Sequence, residues 1–189
     1  MKKWKIVALC TVLACLAIVA SGTLAYFTAQ ETAHNVITSG GVAIQLIEQT
    51  RNEDGSFGPW ENMEDVMPGA VVSKKVTVKN TGASAAWVRV KVDKTVILAN
   101  QDKGNPEVME LDINDTFWTE DDGYYYYNDP LAPGEATKVP LFTTVTFDAV
   151  KMDNDYQNCT ARIDVKADAV QVANNGASAT VAAGWPKSK

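Results

Sequence analysis

Between residues 40 and 173 the chain repeatedly alternates apolar and polar side chains with a period of two, the pattern of strands that bury one face. Val42, Ile44 and Leu46 alternate with Ala43 and Gln45. Val76 and Val78 alternate with Lys75, Thr77 and Lys79, and Val88, Val90 and Val92 alternate with Trp87, Arg89 and Lys91. Val139, Leu141, Val145 and Phe147 share one parity, as do Ile163, Val165 and Ala167, while Tyr124 to Tyr127 reads as a short aromatic strand. Helical periodicity is scarce after residue 26. Strands in this number, at least six, predict an all-β fold of two packed antiparallel sheets or a barrel.

The punctuation agrees. Pro68-Gly69, Asn80-Thr81-Gly82, Asp122-Gly123 and Pro133-Gly134 carry turn chemistry between apolar runs, and Asn80-Thr81-Gly82 is expected to turn one strand back on the next. Gln49 to Met63 and Asn100 to Pro106 read as surface loops. The tail, residues 174–189, is rich in Ala, Asn and Gly and is expected to fray unless Trp185 docks back. In the tyrosine run alternate side chains point to opposite faces, so two are assigned to the core and two to the surface.

A different pattern opens the chain. Three lysines, Lys2, Lys3 and Lys5, precede an apolar run from Ile6 to Ala20 whose only polar interruption is Thr11. That run of 15 residues is shorter than the roughly 20 a spanning helix needs, and the combination defines a cleavable export signal. Thr23 and Ala25 put small side chains where the signal peptidase must fit, which makes Tyr26 the new N-terminus. A retained anchor and a lipidated Cys15 are the alternatives. The expected layout is a signal peptide over 1–25, an extended segment over 26–39, a β-sandwich over 40–173 and a tail over 174–189.

Cleavage moves the net charge from −6 to −9, because three lysines and no acid are lost. No basic cluster exceeds Lys74-Lys75, which argues against nucleic acid and anionic membrane surfaces as partners and leaves only the uncleaved signal to meet a membrane. Cys10 and Cys15 leave with the signal, so Cys159 has no intrachain partner and reads as a buried, inert thiol.

Candidate chemistry is sparse. The only histidine, His34, sits in Ala33-His34-Asn35 near the cleavage site, and no Gly-x-Ser-x-Gly, His-Glu-x-x-His or phosphate-binding glycine loop occurs. No catalytic residue, metal ligand or cofactor is assigned. Acids cluster in Glu61 to Asp65, Asp112 to Asp115, Glu120 to Asp122 and Asp153 to Asp155, as loops of an acidic protein or as hard-cation oxygens. Trp118 with the tyrosines reads either as core or as a stacking platform for sugar or peptide.

The junction Ser21-Gly22-Thr23-Leu24-Ala25-Tyr26-Phe27-Thr28, followed by His34-Asn35-Val36-Ile37-Thr38-Ser39-Gly40, resembles Gram-positive exported proteins processed by a SipW-type signal peptidase, the TasA, camelysin and CalY-like group. Met67-Pro68-Gly69, Val78-Lys79-Asn80-Thr81-Gly82, Asp122-Gly123 with the four tyrosines, Leu131-Ala132-Pro133-Gly134 and Ala167-Asp168-Ala169-Val170-Gln171 look like that group's core in order and spacing. The resemblance implies a jelly-roll-like β-sandwich, export by that peptidase, and a structural role at the cell surface or in a biofilm matrix through self-association into fibres. The segment from Tyr26, with Phe27, Val36 and Ile37, is then expected to add as a strand to an open sheet edge of a neighbouring copy. The alternatives are a camelysin-like metal-dependent endopeptidase and a monomeric carbohydrate-binding module centred on Trp118.

Overall fold

The computed structural model describes residues 41–60 and 67–186. Ten strands cross them: β1 (Ile44–Arg51), β2 (Phe57–Pro59), β3 (Val71–Ser73), β4 (Lys75–Asn80), β5 (Ala86–Ile97), β6 (Met109–Leu111), β7 (Trp118–Asp121), β8 (Tyr124–Tyr127), β9 (Thr144–Phe147) and β10 (Thr160–Gln171). Every ladder between them is antiparallel. The all-β class read from the alternation is the class observed.

The strands form two layers. One has the order β10-β5-β8-β7. The other combines β2-β1-β4 with β3-β9-β6, since β3 runs into β4 with only Lys74 between and both lie against the stretch before and through β9. Lys74 N–H donates to Thr143, Val76 N–H to Phe142, and Leu141 N–H back to Val76, so the two groups are stitched into one sheet. Val42, Ile44, Val72, Val76 and Val78 from this layer meet Val88, Val90, Tyr127, Val165, Ala167 and Ala169 from the other in one core. Each fully buried valine there contributes roughly 1.5–3 kcal/mol.

Several local expectations are refined. The stretch Val139 to Phe147 is a strand only over Thr144–Phe147. Pro140 has no N–H to give a ladder, and Leu141 and Phe142 are both buried, which breaks the alternation. Asn80-Thr81-Gly82 does not fold β4 back onto its neighbour; it carries the chain from one layer to the other. The buried Asn80 side chain is the hub, its Nδ2 donating to the Ser84 and Leu131 carbonyls and its Oδ1 accepting from Gly82 N–H. Asp122-Gly123 is a two-residue hairpin turn between β7 and β8, with φ of 49° and 73° as a primed turn requires. Part of the expected loop from Gln49 is a hairpin of β1 and β2.

The outer face of the first part of β5 is not open to water. Trp87 and Arg89, on its polar parity, are buried with Tyr126 and Val170 beneath the segment that follows β10, where Ala179, Ala182 and Trp185 pack. The tail therefore docks through Trp185, edge-on to Tyr126 with centroids 5.7 Å apart. Tyr125 and Tyr127 face the main core, and Tyr124 and Tyr126 take the outer side, covered by the tail instead of by solvent. Cys159 is free and half-buried, and burial pushes its thiol up from the ordinary value.

Candidate functional site

Thr23, Ala25, Tyr26, Phe27, Val36 and Ile37, on which the processing and assembly expectations rest, precede Gly41 and lie outside the described residues, as does His34. Within the described residues the feature relevant to strand addition is an unpaired edge.

Successive residues of an antiparallel strand aim their amides to opposite sides. Ala86, opposite Gln171 in the ladder, exchanges both backbone hydrogen bonds with Leu131 at 2.9 Å, so the pair Ala86 and Gln171 is not hydrogen-bonded. The same parity runs down β10: Ala161, Ile163, Val165, Ala167 and Ala169 point N–H and C=O away from β5. Among the described residues β10 pairs with β5 alone.

The edge of β1 follows the same logic. Asn80, Val78 and Val76 of β4 bond to Glu135, Thr137, Leu141 and Phe142 on their far side, so their partners Ile44, Leu46 and Glu48 aim their amides away from β4. Trp60 N–H takes the Glu48 carbonyl at 3.1 Å. No described residue pairs with the amides of Ile44 and Leu46. The two edges adjoin on one side of the sandwich, β1 beside β10. Leu46, Ala161 and Ile163 rest on the core there while only partly buried.

One charged pair stands at this seam. Lys74 keeps the inward parity of Val72, Val76 and Val78 and is 1% exposed. Its Nζ lies 2.5 Å from Glu48 Oε1, also on an inward position, and 4.2 Å from the centre of the Trp60 ring. Burial pushes the Lys74 ammonium down from the usual lysine range, while Glu48 and, from β10, Asp164 work in the opposite direction. Glu48 Oε1 is buried too, with the Lys74 ammonium as its partner. In the sequence Lys74-Lys75 stands out only as the largest basic cluster; the signal for burial is the even-numbered set Val72, Lys74, Val76, Val78, a lysine on a core parity.

The other singled-out residues have structural positions. Trp118 is 1% exposed, donates through Nε1 to the Val139 carbonyl at 3.3 Å and packs on Tyr127 with centroids 5.0 Å apart, so it offers no open ring for stacking. Asp112 accepts from Thr143 and Thr144, Asp153 caps the short turn Asn154–Tyr156, and Asp121 and Asp122 flank the β7–β8 hairpin. Among the described residues no three His, Cys, Asp or Glu side chains converge as a metal site, and no helix is long and apolar enough to cross a membrane.

No protein-family model, curated protein or solved structure matches this chain.

Proposed function

We propose that this chain is an exported, non-enzymatic structural protein of the cell surface or biofilm matrix. Its sandwich, read as a jelly roll, assembles into fibres by strand addition. A SipW-type signal peptidase cuts after Ala25 and frees the Tyr26 segment, which Phe27, Val36 and Ile37 seat against an open edge of the next copy. A head-to-tail contact of this kind does not close on itself and so grows a filament.

The single observation that supports this reading is the seam of β1 and β10, where the outward amides of β10 and of Ile44 and Leu46 meet no partner among the described residues. Five consecutive outward amide positions on β10 form a template for main-chain pairing, and such a template is a liability unless something uses or protects it. β10 is the better acceptor, since β2 and Trp60 already occupy the far end of the β1 edge. The test compares residues 26–189 with residues 40–189 by electron microscopy. Fibres from the longer chain alone are expected. Equal fibres from both would remove the N-terminal segment from the mechanism.

A further inference from the structure

We propose that the Lys74–Glu48 pair beneath Trp60 is a selectivity filter on the open seam: it admits the Tyr26–Ser39 strand of a second copy and rejects a continuously apolar strand. The inference rests on the strand-addition reading and adds what decides which strand is accepted.

Inward-pointing charges on edge strands oppose indiscriminate pairing, because an added apolar strand must cover them without replacing their water. Here both partners are inward-facing, Lys74 fully buried and the Glu48 side chain 20% exposed. Glu48 is the half that water still reaches. An aliphatic side chain laid over it would remove the remaining hydration and give nothing back. A side chain that donates or accepts a hydrogen bond would replace that hydration. Trp60 sets the position of the filter, since its N–H holds the Glu48 carbonyl and its ring lies over the Lys74 ammonium.

The segment upstream of Gly41 has matching chemistry. Its odd positions read Phe27, Ala29, Glu31, Ala33, Asn35, Ile37 and its even positions are mostly hydroxyl, amide or imidazole. The odd parity is thus an apolar face interrupted by two hydrogen-bonding side chains. Asn35 can donate to the part of Glu48 that water still reaches. The occupant is therefore this segment of a second copy, in the register that brings Asn35 to the filter.

The test uses residues 40–189, which lack the competing segment, with two fluorescent peptides: residues 26–39, and the same peptide carrying Asn35→Leu. Anisotropy should show the native peptide bound at least about tenfold more tightly, and that preference should vanish in the Glu48→Leu/Lys74→Met double variant. Should that variant not fold, Glu48→Met/Lys74→Met, which keeps closer to the shape and removes both charges, serves in its place. Equal binding of both peptides by the unmodified chain overturns the filter and leaves strand addition standing, and so does a preference unchanged in the variants. Binding of neither peptide to any chain overturns strand addition and the filter with it.

Discussion

Arg89 Nη2 donates to the Pro186 carbonyl oxygen at 2.7 Å, joining residues 97 positions apart. The same guanidinium pairs with Asp168 at 3.0 Å and lies between the rings of Tyr124 and Trp185, 3.7 and 4.8 Å from their centres. One side chain thus holds the tail against the outer face of β5 and neutralises a largely buried carboxylate. Arg89→Ala should lower stability by roughly 3 kcal/mol, because Asp168 keeps its burial and loses its partner. Urea unfolding measures the loss, and a red shift of tryptophan emission reports release of Trp185. Arg89→Lys should recover little, since an ammonium cannot serve Asp168, Pro186 and two rings from one plane. An unchanged midpoint in Arg89→Ala would mean that the tail is held by other contacts.

This outer face also marks where the sequence was hard to read. Alternation identified β4, the first part of β5, and β10 because each puts one parity into the common core, and Asp122-Gly123 announced its hairpin through the backbone angles it allows. Parity does not say what covers the other face. Trp87 and Arg89 looked solvent-facing because their cover, Trp185 and Pro186, comes about a hundred residues later. Open edges have no local signature either, since a strand becomes an edge only through the order of the whole sheet. The burial of Lys74 was not legible because charge in a sequence suggests surface, and only its partner Glu48, across the β1–β4 ladder, makes an inward lysine tolerable.

That partnership should show strong coupling. Glu48→Leu alone leaves a buried ammonium without its paired carboxylate and is expected to cost roughly 3–5 kcal/mol. Lys74→Met should cost less, since the Glu48 side chain retains some access to water at the seam. The double variant should return to within about 1 kcal/mol of the parent, because the two charges leave together. The pH dependence has a definite sign. The folded value of Lys74 lies below 10.5, so between the two values the unfolded chain holds more protons and the stability contributed by this group rises with pH. Denaturation of all four proteins completes the cycle, and additive losses would contradict the pairing.

Asp112 gives the opposite kind of dependence. Partial burial works against its charge, yet the hydrogen bonds from Thr143 and Thr144 prevail and hold the carboxyl below its ordinary 3.8. It accepts from Thr143 N–H at 2.8 Å, Thr144 N–H at 2.7 Å and the Thr143 hydroxyl at 2.5 Å, tying the end of β6 to the start of β9. A depressed carboxyl contributes stability above its unfolded value and loses it as pH falls through the folded one. Asp112→Asn should therefore cost roughly 1–2 kcal/mol near neutral pH. The gap from the parent should close between about pH 5 and about pH 2, and a gap constant over that range would mean that the charge of Asp112 is not what the threonines hold.

Gly82 tests whether the layer-crossing corner needs glycine for space or for backbone angle. A Cβ at Gly82 would meet Ala43 N at 2.5 Å and Gly41 O at 2.7 Å, both backbone atoms that no rotamer can move. Thr81 and Gly82 also donate to the Ala43 carbonyl at 2.8 and 2.9 Å, so any shift strains the lead-in to β1. Gly82→Ala is expected to lose roughly 2–3 kcal/mol. Gly123 is the opposite case: its φ is +73°, but a Cβ there would meet nothing within 4 Å. Gly123→Ala should then cost only the left-handed backbone, about 1–2 kcal/mol. Thermal unfolding of both variants decides between the two effects. If Gly82→Ala proves the milder change, Gly41 to Ala43 can move aside, and the start of β1 beside the seam is looser than its hydrogen bonds imply.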